Sequence, residues 1–311
     1  MTPACGSTID RARVRAGAEL SYRGAVMSLS PDFRLPDLRF VPTEDVYPHE
    51  YNDQQRTEPL VRKLRESGVM KNPPIVAQVG DGQRIETRYI VLDGANRSTA
   101  AKAAGWPHVV VQVVRYEQPW VQLFTWYHAL TAEARGPLEQ GLAKIAGLQM
   151  THMDRIHGRA LLARREALAC VSLSEGDVLV LQGGRTLTER NQLLNAVVGV
   201  YQDKLPYVRV NTDSLTQARK EHPDVTALVI FPRFDPAEVI DLASSGEHLP
   251  AGITRHLIQW RALRLNIPLS MCEDAEMPLE LKNAWLQRWM AERLTQRTVR
   301  FYEEPTVLFD E

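Results

Sequence analysis

The densest chemistry in this 311-residue sequence lies in six consecutive residues, Asp93-Gly94-Ala95-Asn96-Arg97-Ser98. They follow the apolar, β-branched run Tyr89-Ile90-Val91-Leu92 and precede Thr99-Ala100-Ala101-Lys102-Ala103-Ala104, a small-residue stretch that reads as a helix stopped at Gly105. Strand, glycine turn and helix start, in that order, expose backbone N–H groups at the positive end of a helix dipole, where an anion such as phosphate is favoured. Arg97, on the first turn, adds a planar guanidinium that can clamp a phosphate through two hydrogen bonds. Neither G-x-x-x-x-G-K-[ST] nor G-x-G-x-x-G after a strand occurs, so the common nucleotide folds are not indicated.

Composition narrows the classes that such a turn can serve. Lys and Arg number 37 against 38 Asp and Glu, a formal charge of −1. That balance lacks the cationic excess by which a dedicated nucleic-acid binder releases phosphate counterions. Cys5, Cys170 and Cys272 lie far apart with no C-x-x-C spacing, which fits neither a disulfide framework nor a cysteine-rich zinc site. No run approaches the roughly 18 apolar residues of a membrane span, and the opening residues lack the apolar stretch of a secretory signal. A cytoplasmic protein without membrane contact is expected.

The elements that must hold the turn read as follows. Residues 1–37, with Arg11, Arg13, Arg15 and Arg23 among Gly, Ala and Ser, read as a flexible tail. Leu38 to Pro42 is a short strand, and Val46-Tyr47-Pro48-His49-Glu50 leads into a polar loop from Tyr51 to Arg56. Thr57-Glu58-Pro59 starts a helix that ends at Gly68. Pro74 to Ala77 and Thr87 to Leu92 form a hairpin around Gly80-Asp81-Gly82, and Val109 to Val114 is a further strand. Beyond these the pattern is mixed. Helices are expected over Pro137–Ala146, Leu187–Gln202, Pro236–Ser244 and Pro278–Thr295; strands over Ala167–Leu173, Asp177–Gln182, Tyr207–Val210, Thr226–Phe231 and Thr298–Tyr302. The stripe Leu193, Leu194, Val197 and Val198, and the pair Trp285 and Trp289, read as core packing.

A hairpin, D-G-x-x-R, a helix and a β-branched strand in that order resemble the ParB/sulfiredoxin-like superfamily, whose phosphate site occupies this junction. A sulfiredoxin needs a nucleophilic cysteine directly after the second glycine of its turn, and Ala95 stands there. A ParB-type DNA-binding regulator, the alternative reading, follows its nucleotide domain with a helix-turn-helix and a basic surface; here the following region is strand-rich and near neutral. The free L-serine kinases of the superfamily are similar along most of the chain. The similar blocks are Leu38 to Pro42, Val46 to Glu50, Phe124-Thr125-Trp126-Tyr127-His128, Phe231-Pro232-Arg233-Phe234, Leu249 to His256 with its T-R-H, and Asn283 to Phe309. The family often has D-G-H-H-R where this chain has Ala95 and Asn96. Asn96 keeps a donor for a phosphate oxygen; the Ala95 side chain has none.

The resemblance implies an α+β fold. It has a ParB/sulfiredoxin-like N-terminal nucleotide domain, residues 38–132, packed against a mixed α/β C-terminal domain, residues 133–311, with the site between them. It implies phosphoryl transfer from ATP or ADP, with Mg²⁺, to free L-serine, giving O-phospho-L-serine for a downstream enzyme of siderophore or other specialised metabolism. A kinase of another small hydroxy amino acid, such as threonine or homoserine, stays open. Such a reaction needs held phosphates, a divalent metal and a carboxylate to take the hydroxyl proton. Glu50 is the implied base and Asp93 a catalytic residue and the metal ligand. Gly94, Ala95, Asn96, Arg97 and Ser98, with Thr254, Arg255 and His256, are the implied nucleotide and phosphate ligands. His49, Trp126 and His128 are implied for the substrate.

Overall fold

The computed structural model describes residues 35–51, 57–80, 87–131, 134–174 and 176–302. The expected tail falls outside these apart from its last residues, as do most of the loop after Tyr51 and the turn residues Asp81 and Gly82. From Pro36 onward the described residues form one compact unit.

Helices and strands mix, built around two sheets. The first has five strands in the order Asp37–Pro42, His108–Val114, Ile75–Val79, Arg88–Asp93, Val46–Pro48. Its hairpin, Ile75–Val79 with Arg88–Asp93, is antiparallel as expected, while Val46–Pro48 adds in parallel beside Arg88–Asp93. That parallel pairing carries His49 and Glu50 to the end of the strand that enters the glycine turn. Val109, Val110, Val111, Val76, Ile90 and Val91 are all buried, the continuous apolar reading of strands covered on both faces. The helix Leu279–Thr295 packs on the edge strand Asp37–Pro42. Phe40 N donates to Asn283 Oδ1 at 2.8 Å and Asn283 Nδ2 to Phe40 O at 3.0 Å, so a side-chain amide pairs an otherwise open sheet edge. Trp285 and Trp289 stack at 6.4 Å against the same core, the packing role their spacing predicts.

The second sheet is antiparallel throughout, in the order Tyr207–Val210, Tyr127–Leu130, Ala227–Ile230, Ala169–Ser172, Asp177–Gln182, Gln149–Asp154. Leu187–Gly199 and Pro236–Ser244 pack on it, each opened by a capping box: Thr186 with Glu189, and Asp235 with Glu238. Leu194, Val197 and Val198 are buried as expected, and Leu193 is half-buried. The two sheets do not divide the chain at one point. Tyr127–Leu130 lies in the second sheet, and Leu279–Thr295 returns to the first. A two-stranded ribbon, Val121–Thr125 with Thr254–Ile258, makes the crossing.

Three departures have local causes. Gln149–Asp154 is an edge strand of polar, largely exposed residues and offers no period to read. Thr254–Ile258 is too short and polar to announce a strand, yet it carries the T-R-H residues. Thr298–Tyr302, expected as a strand, has irregular backbone and belongs to neither sheet nor ribbon; β-branched residues need a neighbouring strand to satisfy their backbone. Among the described residues no helix is long and apolar enough to cross a membrane.

Candidate active site

Glu50 ends the segment that leaves the first sheet and is held by the loop from Leu249 to Thr254. The two stretches bridge in parallel, with Leu249 N donating to His49 O at 2.8 Å and Tyr51 N to Leu249 O at 2.9 Å. The carboxylate then accepts three hydrogen bonds. Gly252 N donates to Oε2 at 2.8 Å, and both the N–H and the hydroxyl of Thr254 donate to Oε1 at 2.6 Å. Gly252 sits at φ +75°, a backbone that glycine adopts without cost, and a Cβ there would lie 3.1 Å from Arg209 Cδ. The Glu50 side chain is 14% exposed, so a grip of this kind leaves little of it open.

His49 is buried beside it. Nδ1 contacts the carbonyl oxygen of Val91, and Nε2 lies 2.7 Å from Thr254 Oγ1. The His256 ring meets His49 edge-on at 5.2 Å between centroids and pairs through Nε2 with Tyr116 Oη at 2.7 Å. Burial, reinforced by His49, holds His256 well below the ordinary histidine range, and burial with the Glu50 charge pushes the Tyr116 phenol up. Tyr116 joins the cluster without any local signal in the sequence.

The glycine turn forms as expected. Arg88–Asp93 runs into Gly94 at φ +91° and then into the helix Ala95–Ala103. A Cβ on Gly94 would lie 2.6 Å from Arg97 Nη2, so the missing side chain is what lets the guanidinium fold back over the turn. Asp93 does not cap the helix; the cap position is Gly94 and carries no side-chain bond. Instead Asp93 Oδ2 takes an ion pair from Arg261, a residue that no motif in the sequence marks, and lies 3.5 Å from Arg97 Nη2. Ser98 is buried, its hydroxyl donating to Ala95 O at 2.9 Å, so that hydroxyl is already engaged within the helix's first turn.

Two expected ligands are placed elsewhere. His128 is fully buried in the second sheet, with Nδ1 2.7 Å from Tyr201 Oη and Nε2 3.3 Å from the Gly252 carbonyl. It lies among Tyr201, Tyr207 and Phe231 and therefore props the Gly252 loop instead of lining a substrate pocket. Burial pushes it down to about 4, so it is neutral there. Arg255 alternates with Thr254 and His256 along its strand and so faces away from Glu50. Its guanidinium covers the Trp126 ring at 4.7 Å. Thr254 and His256, expected at phosphate, are instead engaged with Glu50, His49 and Tyr116.

The structure thus brings His49, Glu50, Thr254 and His256 together, and separately Asp93, Gly94 and Arg97, with Val91 and Asp93 on one strand joining the two groups. Among the described residues no group of three His, Cys, Asp or Glu side chains could hold a metal ion. A half-buried aspartate at a helix N-terminus has the donor chemistry for Mg²⁺, which is commonly bound by one or two carboxylates plus substrate phosphates.

No family model matches the chain. It is similar to the ATP-dependent L-serine kinase SbnI of Staphylococcus aureus, 24% identical over 88% of this chain and 97% of that protein. The ADP-dependent L-serine kinase SerK of Thermococcus kodakarensis is 22% identical over 77% of this chain and 96% of its own length. An ATP-dependent L-serine kinase of Staphylothermus marinus is 24% identical, covering 80% and 98%. Among solved structures, C-terminally truncated SbnI superposes with a TM-score of 0.64 at 21% identity, covering 83% of this chain and 97% of that one. A free serine kinase in complex with AMP superposes at 0.62 and 18% identity, covering 78% and 98%. The fold is shared with both, and the resemblance that the ordered sequence blocks imply is borne out.

Proposed function

We propose that this chain, which aligns along nearly the whole length of the L-serine kinases, transfers the terminal phosphoryl group of ATP or ADP to the hydroxyl of free L-serine. The product is O-phospho-L-serine, available to an enzyme that uses it. The observation that carries this reading is the grip on Glu50. Three donors fix its carboxylate, one strand away from a glycine turn with Arg97 folded over it.

Each part has one task. The turn Gly94 to Ser98 and Arg97 hold phosphate oxygens through backbone N–H groups, the Asn96 amide and the guanidinium. Glu50 accepts the serine hydroxyl proton as the oxygen attacks phosphorus, and its fixed geometry spares reorganisation at that moment. Arg261 and Arg97 orient Asp93, whose other carboxylate oxygen would hold Mg²⁺ together with the nucleotide's phosphates. The ion supplies neutralisation of charge that develops on the phosphoryl oxygens.

The test is incubation of purified protein with Mg²⁺, ATP or ADP, and a panel of free amino acids that includes serine, threonine and homoserine, followed by phosphorus NMR. A phosphomonoester resonance with serine and one donor is expected. Absence of phosphoamino acid from every pair would end the kinase reading, and salt-dependent binding to its own promoter DNA would then support the regulator.

A further inference from the structure

Thr254 Oγ1 lies between two groups, His49 Nε2 at 2.7 Å and Glu50 Oε1 at 2.6 Å. His49 Nδ1 faces the carbonyl oxygen of Val91, which only accepts, so Nδ1 carries a hydrogen. The two links to Thr254 need one hydrogen each, and the hydroxyl supplies one. The other comes from His49 Nε2 or from the Glu50 carboxyl. A carboxyl that is to take a proton from substrate is ionised, which leaves that hydrogen on His49.

The surroundings suit this charge state. His49 is buried and Glu50 is mostly covered beside it, Nε2 to Oε1 3.8 Å apart, with every imidazolium hydrogen and three carboxylate lone pairs bonded, the condition under which charges away from water are tolerated. The titratable groups facing His49 are His256 on the ribbon, Tyr116 behind it and His248 on the loop. Burial holds both histidines low, with His49 beside them acting in the same direction, and burial keeps the phenol protonated. Glu247 acts on His248 from the loop, and Arg209 lies against Gly252.

We propose that Thr254 and His49 are positioning residues for Glu50, with the His49 imidazolium donating through Nε2 to Thr254 and so turning the hydroxyl hydrogen onto Glu50 Oε1. The Thr254 N–H and O–H then fill both lone pairs of Oε1, and Gly252 N–H fills one on Oε2. A single lone pair on Oε2 remains for the acceptor. In the transfer step the substrate O–H bond breaks and its proton goes to Oε2. The O–P bond forms as the bond from the terminal phosphorus to the bridging oxygen breaks, and the shortened nucleotide leaves with that electron pair. His49 and Thr254 keep their hydrogens throughout. This assignment rests on the reading of Glu50 as a kinase base, and it moves Thr254 and His49 from ligand roles to the support of that base.

Nitrogen NMR of protein labelled at histidine tests it without reliance on turnover, with the His49 signals identified by their loss in His49→Gln. At neutral pH both ring nitrogens of His49 are expected to carry hydrogens in the wild type and in Thr254→Ser. In Thr254→Val, nearly isosteric but without the hydroxyl, one nitrogen only is expected to carry hydrogen. In the kinase assay Thr254→Val is expected to lower kcat by about 10- to 100-fold with the KM for serine and nucleotide within about two-fold, and Thr254→Ser to recover most of the loss. A singly protonated His49 in an active wild type overturns the proposal, as does a Thr254→Val defect confined to KM. A wild type that phosphorylates nothing removes the kinase reading, while the protonation state of His49 still decides whether the three residues form one unit.

Discussion

Arg261 reaches across 168 residues of sequence to pair with Asp93 Oδ2, placing a cation from the C-terminal part of the chain on the carboxylate that opens the glycine turn. The loop that carries it is fastened to the first sheet by Gln112, whose Nε2 donates to Trp260 O at 2.9 Å and whose Oε1 accepts from Ala262 N at 2.8 Å. Asp93 thereby lies between Arg261 and Arg97.

That pairing predicts a selective defect. Arg261→Ala is expected to raise the apparent KM for nucleotide by about tenfold, the cost of one charged hydrogen bond at a half-exposed site, and to leave the unfolding midpoint nearly unchanged. Arg261→Lys is expected to recover part of the loss, since a point charge replaces a planar fork. Nucleotide titration followed by calorimetry, beside steady-state kinetics, measures both.

Glu50→Gln keeps the shape of the side chain and the acceptor oxygen that Thr254 grips, gives up the acceptor facing Gly252 N, and removes the basicity. General-base assistance typically contributes about 10²- to 10⁴-fold, so turnover is expected to fall by at least about 100-fold with nucleotide affinity nearly intact. A variant that turns over at wild-type rate would show that another group takes the hydroxyl proton.

Gly94→Ala strains the turn twice, through φ +91° and through a Cβ 2.6 Å from Arg97 Nη2. A non-glycine residue in the left-handed region costs about 1–2 kcal/mol, and the guanidinium must move off the turn. The expected outcome is a denaturant midpoint lowered by that amount together with a nucleotide dissociation constant raised about tenfold or more. Unchanged binding in a folded variant would detach Arg97 from phosphate.

His128 predicts an acid weakness. Burial lowers it from its ordinary 6.5 to about 4, so between those values the unfolded chain binds a proton that the folded chain does not. Stability is therefore full above about 6.5 and is lost as pH falls towards about 4, by an amount on the order of 3 kcal/mol for this one residue. His256, lowered by burial as well, acts in the same direction. Urea midpoints at neutral pH and near pH 4.5 measure the slope, and His128→Gln is expected to flatten it.

Sequence alone determined what depends on neighbours along the chain. The strand, glycine turn and helix around Gly94 were legible because β-branched residues, a positive-φ glycine and small helix formers act within a few positions of one another. Asp177–Gln182, Tyr207–Val210 and Pro236–Ser244 were legible for the same reason. The ordered blocks from Leu38 onward pointed to the serine kinases although Ala95 and Asn96 depart from their turn. Tertiary structure decided which oxygen each side chain serves. Thr254 and Arg255 are adjacent, yet strand alternation sends one to Glu50 and the other to Trp126. His128 sits beside the ribbon in sequence but belongs to a different sheet, whose burial removes its charge. Glu50 meets Thr254 only because the Leu249 loop folds back against the first sheet across 204 residues, and no local periodicity records a contact of that kind.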